Sequence, residues 1–168
     1  MHLSEKPFLE NVSIQKRISC LAESISAKEI DLVVSVLSGA FIFTADLVRQ
    51  LKKESVEIQF IKASSYKNAT EASALSVSEI SFSVKGKSVL LIDDILDTGN
   101  TLHFLKSKFE QEAQKVWTCV LLDKPSRRQV NIQADFVGFT IENSFVVGYG
   151  LDFAGKYRNL KDIHILEE

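Results

Sequence analysis

Only two cysteines, Cys20 and Cys119, occur in the 168 residues. They stand far apart and form no C-x-x-C, so both read as reduced core or near-core thiols. With so few cysteines and three scattered histidines, His2, His103 and His164, a zinc site is disfavoured. Two prolines, Pro7 and Pro125, and seven glycines give little punctuation. No linker, low-complexity stretch or repeat is visible, and the length fits one domain, 1–168, able to bury a core. No apolar run nears the roughly 20 residues that span a bilayer. The start, MHLSEKPFLE, has no apolar secretion segment, so no membrane partner and a cytoplasmic address are expected. A net charge of −2 supplies no basic field for a nucleic-acid backbone, and no nucleic-acid partner is expected.

What is present is alternation. Ile14, Ile18, Leu21 and Ile25 recur at helical spacing, giving a helix over 13–28. The β-branched run LVVSVL at 32–37 reads as a buried strand, broken by Ser38-Gly39. A helix over 40–53 and a strand over 56–64 follow. Residues 67–79 are polar, serine-rich and aperiodic, the pattern of a long exposed loop, and such loops are often lids. SVLLI at 88–92 is the clearest strand; Thr98-Gly99-Asn100 follows, and then a helix to about 114. Further strands are expected at 116–122, 136–139, 145–148 and 163–166. Strands alternating with helices give an α/β class with a mainly parallel central sheet flanked by helices. Such sheets bind ligands beyond the C-terminal ends of their strands.

Residues 89–102 read VLLIDDILDTGNTL. A hydrophobic strand is expected to end in Asp93 and Asp94. Asp97 then precedes Thr98, Gly99, Asn100 and Thr101, where a helix starts. A helix N-terminus leaves backbone N–H groups unpaired and suits a phosphate. Gly99 permits close backbone approach, and the two threonines add hydroxyl donors. Two carboxylates beside a phosphate need hydroxyls or a cation, which a ribose diol and Mg²⁺ supply. The string is therefore shaped for a ribose 5-phosphate. The plain alternative, a solvated strand end and a capping aspartate, explains one acid but not the whole string.

IDDILDTGNTL resembles the phosphoribosyl pyrophosphate signature of type I phosphoribosyltransferases. Nearly the whole chain is similar to their hypoxanthine-guanine branch, through LSGAFIFTADLVRQL at 37–51, FIKASSY at 60–66, LLDKPSRR at 121–128 and VGFTIENSFVVGYGLDFAGKYRNL at 137–160. The resemblance implies the type I fold, with a small hood near the base-binding site. It also implies purine salvage, in which hypoxanthine or guanine and phosphoribosyl pyrophosphate give IMP or GMP and pyrophosphate, with Mg²⁺. Asp97 then matches the acid near the purine N7. Lys124 matches the lysine that donates to the 6-oxo group and disfavours adenine, since an ammonium only donates. Phe145 matches the stacking aromatic, and Val146 would offer its backbone to the base edge. Asp93, Asp94 and Asp152 match metal-site acids, and Arg158 the arginine on pyrophosphate.

Ser38-Gly39 matches the pyrophosphate loop, where many relatives carry lysine before the glycine; the resemblance also implies a cis Leu37–Ser38 peptide. Ser65-Tyr66 matches the start of the lid, with Lys67 in place of the usual glycine. A lid would exclude water from an oxocarbenium-like species. Lys62 enters that loop and would serve pyrophosphate or a neighbouring subunit. Relatives are usually dimers or tetramers, so a homo-oligomer with 40–53 near an interface is implied. The alternatives weighed are a non-catalytic phosphoribosyl pyrophosphate-sensing regulator and a xanthine-preferring transferase. Three imitations fail: Gly86-Lys87-Ser88 lacks the earlier P-loop glycine, since position 81 is Ser81; Phe153 breaks the G-x-G-x-x-G begun at Gly148; and the acids at 93–97 lack EF-hand spacing.

Overall fold

The computed structural model describes residues 2–65 and 75–167, and of 64–65 and 75–77 the backbone alone. The order is β1 (His2–Leu3), α1 (Asn11–Ser26), β2 (Leu32–Leu37), α2 (Phe41–Val48), β3 (Glu57–Ser65), β4 (Leu75–Val77), β5 (Ser88–Leu96), α3 (Asn100–Phe109), β6 (Lys115–Asp123), β7 (Phe136–Thr140), β8 (Val146–Val147) and β9 (His164–Glu167). A six-stranded sheet runs β4-β3-β2-β5-β6-β7. Its strands pair in parallel except the edge strand β4, which is antiparallel to β3. A second sheet, β1-β9-β8, forms the small hood.

Period-two alternation sorts the core into two layers. Val33, Leu90, Ile92, Cys119 and Leu121 pack with Ile14, Ile18 and Ile25 of α1 and Phe43 and Leu47 of α2. Leu32, Val34, Val89, Leu91 and Val120 pack on the other side with Leu102, Leu105 and Phe109 of α3. The sheet is thus apolar on both faces, as parallel strands covered by helices must be.

Several boundaries differ from the expected ones. α1 begins earlier because the Asn11 N–H donates to the distant Asp162 carboxylate at 2.7 Å. α2 is shorter than 40–53, ending at Val48. α3 stops at Phe109, well short of 114, and Gln114 N–H then donates to the Lys87 carbonyl at 2.9 Å. β5 does not end at Ile92. Pairing with β6 carries it through Asp93, Ile95 and Leu96, so both acids are strand residues. The expected loop 67–79 ends in β4, whose backbone pairs with β3; residues 67–74 lie outside the described residues. β1 was not anticipated, since two residues carry no periodicity; it pairs His2 with Glu167. Cys119 is buried as expected, whereas Cys20 is exposed on α1. Among the described residues no helix is long and apolar enough to cross a membrane.

Candidate active site

The C-terminal ends of β2 and β5 frame a cavity of about 260 Å³, the scale of a small ligand, whose lining includes Ser38, Gly39, Asp93, Asp94, Thr101, Asp152 and Arg158. Seven of the expected residues, from three segments of the chain (38–39, 93–101 and 152–158), therefore meet. Larger cavities lie elsewhere, one of about 580 Å³ between 78–84 and α3, but they gather none of these residues. The chemistry, not the volume, marks the site.

Each wall has a local cause. The Leu37–Ser38 peptide is cis, as the resemblance implied, where β2 turns into α2. A Cβ on Gly39 would lie 1.5 Å from Asp94 Oδ2, so only glycine leaves room for that carboxylate. Successive strand residues point to opposite faces. Asp94 therefore reaches the α2 side, beneath Gly39, while Asp93 takes the other side of the same strand end. Burial is the largest cause pushing both carboxyls upward, well above the usual range for Asp93. The Asp94 charge pushes Asp93 further, and Arg158 partly offsets the effect on Asp94. Two acids held at this cost, in a cavity, mark a functional site better than either acid alone.

The turn after β5 leads into α3. Gly99 has φ +89°, and a Cβ there would meet Ile132 at 2.7 Å. Among the described residues, the N–H groups of Thr98, Gly99, Asn100 and Thr101 find no backbone acceptor. They form the unsatisfied, positively polarised start of a helix. The Asn100 side chain donates to Gln129 Oε1 at 3.3 Å, and Thr101 faces the cavity.

Asp97 and Lys124 stand beside this turn. Asp97 is part-exposed and accepts from Arg127 Nε at 3.1 Å. Lys124 N–H donates to the Leu96 carbonyl at 2.9 Å. Lys124 is only 7% exposed, and its ammonium has no hydrogen-bond or ion-pair partner among the described residues. Burial lowers its pKa, against the opposing charge of Asp97. A buried ammonium without a partner is costly unless a ligand supplies an acceptor.

The far wall comes from 146–158. Arg158 donates from Nη1 to the Gly150 carbonyl at 2.6 Å and pairs through Nη2 with Asp152 at 2.7 Å. A Cβ on Gly150 would lie 2.2 Å from the Gly39 carbonyl, so this wall touches the β2–α2 turn directly. Tyr149, passed over in the sequence, anchors the contact: its hydroxyl donates to Asp46 of α2 and accepts from Gln15 of α1 at 3.1 Å. Only the left-handed backbone around Gly148–Gly150 could have hinted at it. Phe145 does not line the cavity. It is 52% exposed, with its ring 5.7 Å from that of Phe153 at 90°. The Val146 side chain is buried in the core, leaving its backbone as the part free to serve a ligand. Ser65 closes β3, of which only the backbone is described there, and Tyr66 lies outside the described residues. Among the described residues no three acidic, histidine or cysteine side chains converge as a metal cage.

A parallel sheet with paired acids at one strand end, and an open helix start beside them, is the arrangement found in the chain's relatives among phosphoribosyl transferases. The phosphoribosyl transferase domain family matches residues 7–154. A hypoxanthine-guanine phosphoribosyltransferase from Bacillus subtilis is 40% identical over 99% of this chain and 95% of its own length. A hypoxanthine phosphoribosyltransferase from Escherichia coli is 38% identical over 90% of this chain and 89% of its own. The crystal structure of a hypoxanthine-guanine phosphoribosyltransferase from Bacillus anthracis superposes with a TM-score of 0.90, at 40% identity, covering 99% of this chain and all (100%) of that one. The chain belongs to the hypoxanthine-guanine phosphoribosyltransferase family, with the type I fold that its sheet order shows.

Proposed function

We propose that the chain transfers the phosphoribosyl group of phosphoribosyl pyrophosphate to N9 of hypoxanthine, and of guanine, releasing pyrophosphate and forming IMP or GMP. The observation that carries this reading is the convergence of Ser38–Gly39, Asp93–Asp94, Thr101, Asp152 and Arg158 on one cavity, in a chain similar to such enzymes along nearly its whole length.

The open N–H groups of Thr98–Thr101 would hold the 5-phosphate, and the paired acids would meet the ribose hydroxyls. Arg158 and the Ser38–Gly39 backbone would take the pyrophosphate, a target that suits a guanidinium fork. Asp97 would stabilise charge and hold a proton at N7 as the glycosidic bond forms. Lys124 would donate to the 6-oxo group and leave a 6-amino group without an acceptor. Phe145 would stack on the base, with the Val146 backbone at its edge. The lid assigned to 67–79, with Ser65-Tyr66 at its start, would shield the site.

The donor set fits Mg²⁺ in the way that ion is usually held, by one or two carboxylates together with substrate phosphates. Asp93, Asp94 and Asp152 are the residues that would hold it, and when bound it supplies charge neutralisation on the departing pyrophosphate. The whole chain, 1–168, is proposed to act as one catalytic domain in the cytoplasm. It is also proposed to work as a homo-oligomer, because Phe41, Ile58 and Phe60 expose a continuous apolar face around α2 and β3. Sedimentation of the purified chain reads that directly.

The decisive assay supplies Mg²⁺, phosphoribosyl pyrophosphate and, separately, hypoxanthine, guanine, xanthine and adenine. IMP and GMP are expected, and adenine should be the poorest acceptor. No nucleotide from any base would end this reading, and a clear preference for xanthine would change the substrate.

A further inference from the structure

Arg128 does not line the cavity, yet one guanidinium ties the two halves of the base site together. Its Nη1 donates to the Leu96 carbonyl at 2.8 Å and to the Asp97 carbonyl. Its Nη2 pairs with the Asp123 carboxylate. Both partners of that pair are largely buried, so water competes weakly for them. The arginine stem packs on the phosphate turn, where a Cβ on Gly99 would sit 3.0 Å from Arg128 Cδ.

The backbone repeats the connection. Leu96 O also accepts from the Lys124 N–H, and Thr98 O accepts from the Gln129 N–H at 2.9 Å. Asp97 and Lys124 therefore sit on two segments, 96–99 and 123–129, joined through shared carbonyls. The planar guanidinium fork serves two carbonyls and a carboxylate at once, which a lysine ammonium cannot reproduce.

We propose that Arg128 is a positioning residue: it locks the Leu96–Thr98 turn to the Asp123–Lys124 strand end, so that Asp97 and Lys124 meet the base in one fixed frame. The inference rests on the transferase reading above. Displacing reacting groups by about 1 Å can cost roughly a hundredfold in rate, and the clamp guards against such a displacement.

The test compares wild type with Arg128→Lys and Arg128→Met, with Mg²⁺ present and rates expressed per folded enzyme. The expectation for Arg128→Lys is a kcat lower by roughly a hundredfold, with KM for phosphoribosyl pyrophosphate changed by less than about threefold. The preference for hypoxanthine over adenine should fall about tenfold, because Lys124 loses its register. A merely structural arginine would lower the melting temperature and leave turnover and base preference within about twofold of wild type; that result overturns the proposal. Amide hydrogen exchange at Lys124 and Gln129, whose N–H groups bond to the Leu96 and Thr98 carbonyls, provides a reading independent of activity. Exchange about tenfold faster in Arg128→Lys supports the clamp, and unchanged exchange overturns it. Should wild type form no nucleotide while exchange still responds, the transferase reading fails and the clamp stands.

Discussion

Asp93 and Asp94 ride a central strand of the six-stranded sheet, whereas Phe145 stands half-exposed beside a two-residue strand of the hood. The first region is made by the body of the fold. Paired strands fix the acids, and Gly39 and Gly99 admit side chains against bare backbone. The second is made by contacts across the chain, through Tyr149 to Asp46 and Arg128 to the turn. The proposed sugar-phosphate half is therefore built into the paired strands and their turns. The proposed base half is held by a few polar ties, each of which can be cut by one substitution.

The largest effect should come where the halves meet. Asp97→Ala should lower kcat by roughly 10²–10⁴-fold, the usual worth of a positioned acid-base group, while binding of phosphoribosyl pyrophosphate in a titration changes little. Wild-type turnover would remove Asp97 from its assigned role. On the rigid side, Gly39→Ala drives a methyl into the Asp94 carboxylate. It should weaken phosphoribosyl pyrophosphate binding by roughly a hundredfold, as loss of one well-made set of charged contacts does. Unaltered affinity would show that Asp94 is not a ligand-holding group.

On the base side the effects should be smaller and selective. Lys124→Met should cut the preference for hypoxanthine over adenine by about tenfold to a hundredfold in kcat/KM, leaving phosphoribosyl pyrophosphate affinity near wild type. An equal loss for both bases would contradict a 6-oxo contact.

The smallest effect concerns stability. Asp93 has its pKa raised in the folded chain, so the native state binds more protons than the unfolded state between the ordinary value and the raised one. Stability from this group is full below the unfolded pKa and is lost as pH rises through the folded pKa. Asp93→Asn should therefore melt a few degrees higher than wild type at neutral pH without ligand, about 1 kcal/mol for a domain of this size. It should show no such gain at pH near 4. A lower melting point at neutral pH would mean that the acid stabilises the empty fold.

The same contrast explains what the sequence made legible. β2 was readable to the residue because LVVSVL is a buried run that carries its own signal. The acids, Gly99 and the helix start were readable because they lie in one contiguous string, in which α3 follows β5 directly. The length of β5 was not, since continuation through Asp93 and Asp94 depends on pairing with β6. Nor were the early start of α1 on Asp162 and the early end of α3, both set by partners far along the chain. Arg128 was visible within LLDKPSRR but without a role, because its acceptors are backbone carbonyls near residue 97, which no local pattern marks. Tyr149 was hidden for the same reason.

The most direct measurement is a crystal structure of the chain with Mg²⁺, phosphoribosyl pyrophosphate and an unreactive hypoxanthine analogue. The account predicts the 5-phosphate on the Thr98–Thr101 amides, the ribose hydroxyls at Asp93 and Asp94, and the base between Phe145 and the Asp97–Lys124 pair. A sugar phosphate bound away from the 93–101 turn, with Asp93 and Asp94 facing solvent, would contradict it.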